Sequence, residues 1–226
     1  MKYTYYIVIA AALFFLHGET IASTEKRPDL TKFIPTDYVI FDTVYGDINK
    51  DGFEDCVIVI KGTDKKNIIT DKYRGELDRN RRGILILLNK NGQYELAVKN
   101  YDCFSSENED GGVYFPPELI LEIKKGNLFI HYGHGRYGYW EYTFRYRDSD
   151  LELIGFDIVD ARGPITNSET SINYLTKKKI VETNINRYAE DENAKEVFKK
   201  KVTRIKASKL LRLSTIKDFD QLDLDE

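Results

Sequence analysis

The chain has 226 residues, a formal net charge of −3, 42% hydrophobic and 13% aromatic residues, and two cysteines. That length allows a core that needs few covalent staples. The mildly acidic balance makes the chain a poor candidate for nucleic acid, and none is expected as a partner; two cysteines exclude a zinc site built from cysteine alone.

Met1-Lys2-Tyr3 precedes an apolar run from Tyr5 to Leu16 and a small-residue exit at Thr20-Ile21-Ala22. One positive residue, a short apolar stretch and that exit read as a secretory signal peptide over residues 1–22, cleaved after Ala22. The run is shorter than the roughly 20 residues of a membrane span. Residues 23–226 are then expected to form a single β-rich domain in the periplasm or outside the cell, with no transmembrane span after cleavage. An oxidising compartment favours a disulfide between Cys56 and Cys103.

Val39 to Tyr45 alternates and predicts a strand. Cys56 to Ile60 is continuously apolar and predicts a return strand buried on both faces. Thr63 to Arg82 is charged and irregular, and reads as a long loop with a helical turn. Ile84 to Leu88 is a second doubly buried strand. Asn91-Gly92 then marks a hairpin returning through Tyr94 to Val98. Ser105 to Gly112 is a polar loop ended by Pro116-Pro117. Glu107, Glu109 and Asp110 make it a second acidic loop, tethered by Cys103.

Leu119 to Ile123 and Leu128 to Tyr132 predict a hairpin around Lys125-Gly126-Asn127. In the next strand Trp140, Tyr142, Phe144 and Tyr146 share one face, read as a core face, and Glu141, Thr143, Arg145 and Arg147 share the other. Asp148-Ser149-Asp150 turns the chain into Leu151 to Phe156. Ser171 to Leu175 and Lys179 to Asn184 can pair. Ala189 to Lys200 has helical composition, and Leu210, Leu211 and Leu213 are expected to pack back on the core. The fold class is mainly β. An antiparallel meander forms a curved sheet or sandwich with blade-like four-stranded groups at Val39–Val98 and Leu119–Phe156, and minor helix lies near the C-terminus.

The segment Gly46 to Asp55 carries the clearest chemistry. Asp47, Asn49, Asp51 and Asp55 stand at positions one, three, five and nine of a loop with Gly52 at six. Hard oxygen donors at that spacing converge on Ca2+. Position twelve is Ile58 rather than glutamate, and strands flank the loop, so it is not an EF-hand. The loop resembles the calcium loops of FG-GAP and VCBS repeats, as in integrin α-chain propellers and secreted bacterial proteins. That resemblance implies Asp47, Asn49, Asp51, Phe53 and Asp55 as metal ligands. More widely, Phe33-Ile34-Pro35, the acidic loop, Asn80-Arg81-Arg82-Gly83 and Tyr142-Thr143-Phe144-Arg145-Tyr146 resemble a family of secreted Bacteroidetes proteins. That likeness implies no activity.

Gly133-His134-Gly135-Arg136-Tyr137-Gly138 spells a dinucleotide fingerprint, but a strand follows where a helix is needed. The glycines are expected to permit a tight connection, with Tyr137 and Tyr139 the exposed aromatics. No catalytic set is recognisable. The leading expectation is a calcium-binding, non-enzymatic module with a protein or glycan partner, or an envelope protein docking through the Thr63–Arg82 segment. The alternative is an extracytoplasmic hydrolase using His131 and His134 near the glycine-rich loop.

Overall fold

Two strands of unbroken apolar sequence set the architecture, because each has to be covered on both faces. The computed structural model describes residues 29–109, 118–188, 195–206, 209–222 and 224; the predicted signal peptide lies outside them. Strands make up 60% of the described residues, which makes this a mainly β protein.

The first sheet contains β1 (Tyr38–Gly46), β2 (Asp55–Gly62), β5 (Arg82–Lys90) and β6 (Gln93–Phe104), in the order β1-β2-β5-β6. Its central strands alternate between two apolar clusters. Val57, Val59, Ile84, Ile86 and Leu88 face inward, and Cys56, Ile58, Ile60, Leu85 and Leu87 face outward. Leu30, Phe33 and Ile34, around a 3-10 turn at Thr31–Phe33, cover the outward cluster together with Tyr38, Tyr45 and Tyr101. The expected double burial therefore holds. The Thr63–Arg82 segment is more regular than expected: it contains a short hairpin of β3 (Ile68–Asp71) and β4 (Gly75–Asp78).

The inward cluster packs on a second sheet of seven strands. These are β7 (Glu118–Lys124), β8 (Asn127–Gly133), β9 (Gly138–Arg147), β10 (Asp150–Arg162), β11 (Ile165–Asn173), β12 (Lys178–Asn184) and β13 (Phe198–Arg204). They follow one another as an antiparallel meander in the order β13-β12-β11-β10-β9-β8-β7. Leu121, Leu128, Ile130, Tyr132, Tyr142, Phe144, Leu151 and Leu153 supply its half of the core. Trp140 and Tyr146 pack against that core, so the aromatic face of β9 is internal as expected. The second expected group of four strands is thus part of a longer sheet.

The helix expected over Ala189–Lys200 is not found among the described residues. Residues 189–194 lie outside them, and Phe198–Lys200 begin β13. Among the described residues helix is confined to 3-10 turns, two of them near the C-terminus at Leu213–Thr215 and Phe219–Gln221. Tertiary pairing with β12 outweighs a modest helix propensity.

The C-terminal segment closes the sandwich. The Phe219 ring stacks on Phe104 at 5.0 Å and meets the edge of Tyr142 at 4.9 Å. Asn100 Nδ2 donates to the carbonyls of Leu213 at 2.8 Å and Ile216 at 2.6 Å. Ser214 Oγ donates to Asp150 Oδ2 at 2.5 Å. The expected return of the late leucines is met by Leu210 and Leu213, whereas Leu211 is exposed.

The expected disulfide is not formed. Cys56 and Cys103 are buried thiols not joined to each other, and they belong to clusters on opposite faces of the first sheet. Cys56 pairs with Leu87, at one end of β5, while Cys103 adjoins Phe104, the partner of Arg82 at the other end. Roughly four residues of strand, at about 3.3 Å each, separate them, far beyond the roughly 7 Å a disulfide spans. Burial also pushes the Cys103 thiol far above its ordinary pKa, which leaves little of the reactive thiolate.

Two outcomes check this packing. Thiol reagents should label neither cysteine in the native protein and both after denaturation. Phe219→Ala should lower unfolding free energy by about 3–5 kcal/mol in a denaturant titration, since it empties an aromatic site between the sheets.

A candidate metal loop between two strands

Gly46 pairs with Asp55, so residues 47–54 form the whole connection between β1 and β2. Lys50 (φ 65°) and Gly52 (φ 91°) adopt left-handed backbone, which curls the loop on itself. The curl turns side-chain oxygens toward the loop's own amides. Asp47 Oδ1 accepts from Asp51 N and Asp47 Oδ2 from Gly52 N, each at 3.0 Å. Asn49 Oδ1 accepts from the same Asp51 N at 3.0 Å, and Asp51 Oδ1 accepts from Phe53 N at 2.9 Å. Asn49 Nδ2 donates to Asp51 Oδ2 at 2.8 Å. Asp47 and Asn49 are half-buried, while Asp51 and Phe53 are exposed.

Asp55 stands apart from the other acidic residues. Its carboxylate is fully buried and both oxygens are engaged. Oδ2 accepts from Ile48 N at 2.9 Å and Asn49 N at 3.4 Å, and Oδ1 accepts from Asn89 N at 2.9 Å. Burial pushes its pKa above the ordinary carboxylate value, and the amide bonds oppose that only in part. The folded protein therefore holds this proton more tightly than the unfolded chain. Its contribution to stability is present at low pH and is lost as pH rises through the raised value.

Three supports of the loop were not legible in the sequence. Ile48 points between the sheets and is buried in their shared core. Asn89 holds the loop through its amide, and its Nδ2 donates to the Glu54 carbonyl at 3.2 Å. Tyr94 Oη reaches the same carbonyl at 3.0 Å. Asn89-Lys90-Asn91-Gly92, which echoes Asn49-Lys50-Asp51-Gly52 in sequence, is thus its neighbour in space. A β-carbon on Gly46 would lie 2.8 Å from Ile123 Cγ2, so glycine there lets the loop approach β7.

Among the described residues no group of three or more His, Cys, Asp or Glu side chains is already gathered as a metal site. The reason is visible in the loop: Asp55 is turned inward to Ile48, Asn49 and Asn89, which leaves two carboxylates and one carboxamide on the curl itself.

The remaining candidates do not assemble. His131 lies on the outer face of the seven-stranded sheet, where Nδ1 is 3.3 Å from Glu141 Oε2 and the ring is 4.8 Å from Tyr139. His134 lies on the core side, its ring 3.8 Å from Trp140. Burial pushes the His134 imidazole below its ordinary pKa. Their hydrogen-bond partners are the Glu141 carboxylate for His131 and the Tyr132 carbonyl, at 3.4 Å, for His134. The glycine-rich stretch is a 3-10 turn, Gly135–Tyr137, running into β9; Gly138 (φ 98°) makes that turn, and Tyr137 and Tyr139 are exposed. In the second acidic loop, Glu107 pairs with Lys61 at 2.9 Å and Glu109 with Arg79 at 2.9 Å. Asp110, Gly111 and Gly112 lie outside the described residues.

Mutation separates the anchor from the rim of the loop. In calcium-free buffer Asp55→Ala should destabilise strongly, because the buried Ile48 amide left unpaired costs about 1–3 kcal/mol and two part-buried amides lose their acceptor as well. Asp51→Ala, at an exposed position, should cost much less under the same conditions. Equal losses in chemical denaturation would contradict the distinction.

The chain matches no protein-family model, no curated protein sequence and no solved structure.

Proposed function

We propose that this chain is a calcium-binding β module that works outside the cytoplasm by binding a protein or glycan partner, not by catalysis. The observation that carries the metal reading is the convergence of Asp47, Asn49 and Asp51 on one curled loop. The Asn49 amide nitrogen sits against the Asp51 carboxylate at 2.8 Å, so a partial positive charge fills a place suited to a cation. The donors are all oxygen, which fits a hard ion such as calcium. Asp47, Asn49 and Asp51 would hold the ion, with the Phe53 carbonyl as a further ligand. Asp55 would be the inner ligand, with about one acceptor site left beside its three amides, and in this reading it mainly sets the loop. The ion would supply charge neutralisation, since Asp47, Asp51 and Asp55 repel one another within one short hairpin.

The binding reading draws on the same geometry. No catalytic constellation forms among the described residues, and the two histidines face different sides of a sheet. No described helix is long and apolar enough to cross a membrane. Secretion rests on the predicted signal peptide.

Calcium should bind with a dissociation constant of about 10⁻⁴ to 10⁻³ M, as in extracellular modules lacking a bidentate glutamate. At a constant of about 0.1 mM and about 2 mM calcium, mass action adds roughly 1.8 kcal/mol of stability. Chelation should lower the melting temperature by several degrees and calcium should restore it. Magnesium should substitute poorly, and Asp51→Ala should abolish most of the response. Identical melting with calcium and with chelator, together with no heat of binding, would show the loop to be a turn only.

A further inference from the structure

The two lysine runs, Lys177–Lys179 and Lys199–Lys201, are far apart in sequence and look like separate solvated stretches. The fold brings them together. Antiparallel pairing sets Lys178 opposite Arg204, Lys179 opposite Thr203 and Val181 opposite Lys201. Strands β12 and β13 together carry six positive side chains and one negative, Glu182, which pairs with Lys200 at 3.2 Å. A protein of net charge −3 thus concentrates positive charge on one margin of its larger sheet.

That margin is also an open edge. β13 ends the strand order, and all seven of its residues are exposed. The other sheet edges have company: β1 and β7 lie beside one another, and β6 is met by the C-terminal turns. Among the described residues β13 packs chiefly on β12. A terminal strand presents a row of backbone N–H and C=O groups without strand partners, ready to template another strand.

We infer that β13 is a docking edge for an extended acidic segment of a partner protein, which adds to the sheet as a further antiparallel or parallel strand. Alternation decides the chemistry of that partner. Lys199 and Lys201 point to one face, while Phe198, Lys200, Val202 and Arg204 point to the other. An incoming strand meets positive charge on both faces and two exposed apolar side chains, Phe198 and Val202, on one of them. Acidic residues on both faces and apolar residues interleaved on one match this edge. A second copy does not: antiparallel self-pairing centred on Lys200 would oppose Lys199 with Lys201, and directly opposed like charges are destabilising. The lysines thus block self-association while favouring an oppositely charged strand. A purely electrostatic polyanion would use the charge but not the backbone row or the apolar pair.

This inference gives the binding reading a partner class, yet it stands on the sheet edge and not on the metal loop. Titrations run both with calcium and with chelator keep the two apart. The probe is a synthetic peptide as long as β13, valine at its first and fifth positions and glutamate at the rest, which puts glutamate on both faces and valine on one; the control carries lysine in place of every glutamate. The glutamate peptide should bind saturably and slow hydrogen exchange of backbone amides within 198–204, whereas the lysine peptide should not. Lys199→Glu with Lys201→Glu should weaken binding about tenfold or more, with melting measured alongside to show the variant folded. Raised salt should weaken binding as well. Absence of saturable binding would overturn the inference, as would binding that leaves exchange in 198–204 unchanged. Equal affinity for inorganic polyphosphate or phosphatidylglycerol vesicles would overturn it too, and identify a general polyanion surface.

Discussion

The double burial of β2 and β5 is the constraint on which the rest of the structure depends. A strand whose successive residues are all apolar exposes an apolar surface whichever way it faces, so both sides need covers. The seven-stranded sheet and the C-terminal turns cover one side. The segment through Leu30, Phe33 and Ile34 covers the other. Each fully buried Ile, Leu or Val contributes about 1.5–3 kcal/mol relative to exposure, so these two strands dominate the apolar contribution of the first sheet.

The candidate metal loop inherits its rigidity from that arrangement. It joins β1 to β2 just where β2 enters the core, and Asp55 is at once the first residue of β2 and the buried acceptor for three loop and turn amides. Ile48 ties the loop to the inter-sheet core, and Asn89 ties it to the adjacent β5–β6 turn. The loop is therefore preorganised by packing before any ion is considered. A cation would act on its rim, at Asp47, Asn49 and Asp51, without having to build the hairpin.

The two sheets are unequal in size, and that inequality has a consequence for recognition. Four strands cannot cover seven. The overhang at β12 and β13 contributes little to the core, and its composition of lysine, threonine and valine is what an exposed margin tolerates. Stability resides in the sandwich, and the charged, accessible backbone resides in the overhang.

Much of this was legible in the sequence because it follows from local periodicity. Unbroken apolar runs at Cys56–Ile60 and Ile84–Leu88 announced doubly buried strands. Strict alternation at Trp140–Tyr146 announced a core face, and Asp47, Asn49, Asp51, Gly52 and Asp55 announced an oxygen-rich loop. What depended on partners distant in the chain was not legible. Asp55 looked equivalent to the other acidic residues, and only the fold shows it buried and facing three backbone amides. Cys56 and Cys103 looked like a pair, yet opposite pleat directions and opposite ends of β5 keep them apart. Phe198–Lys200 carried helical composition, yet pairing with β12 makes them strand. The two lysine runs became one surface only through the register of β12 with β13. Sequence alone settles which residues need burial or oxygen ligands; only long-range pairing settles which side each faces and what lies opposite, because a strand's two faces differ by a single residue of register.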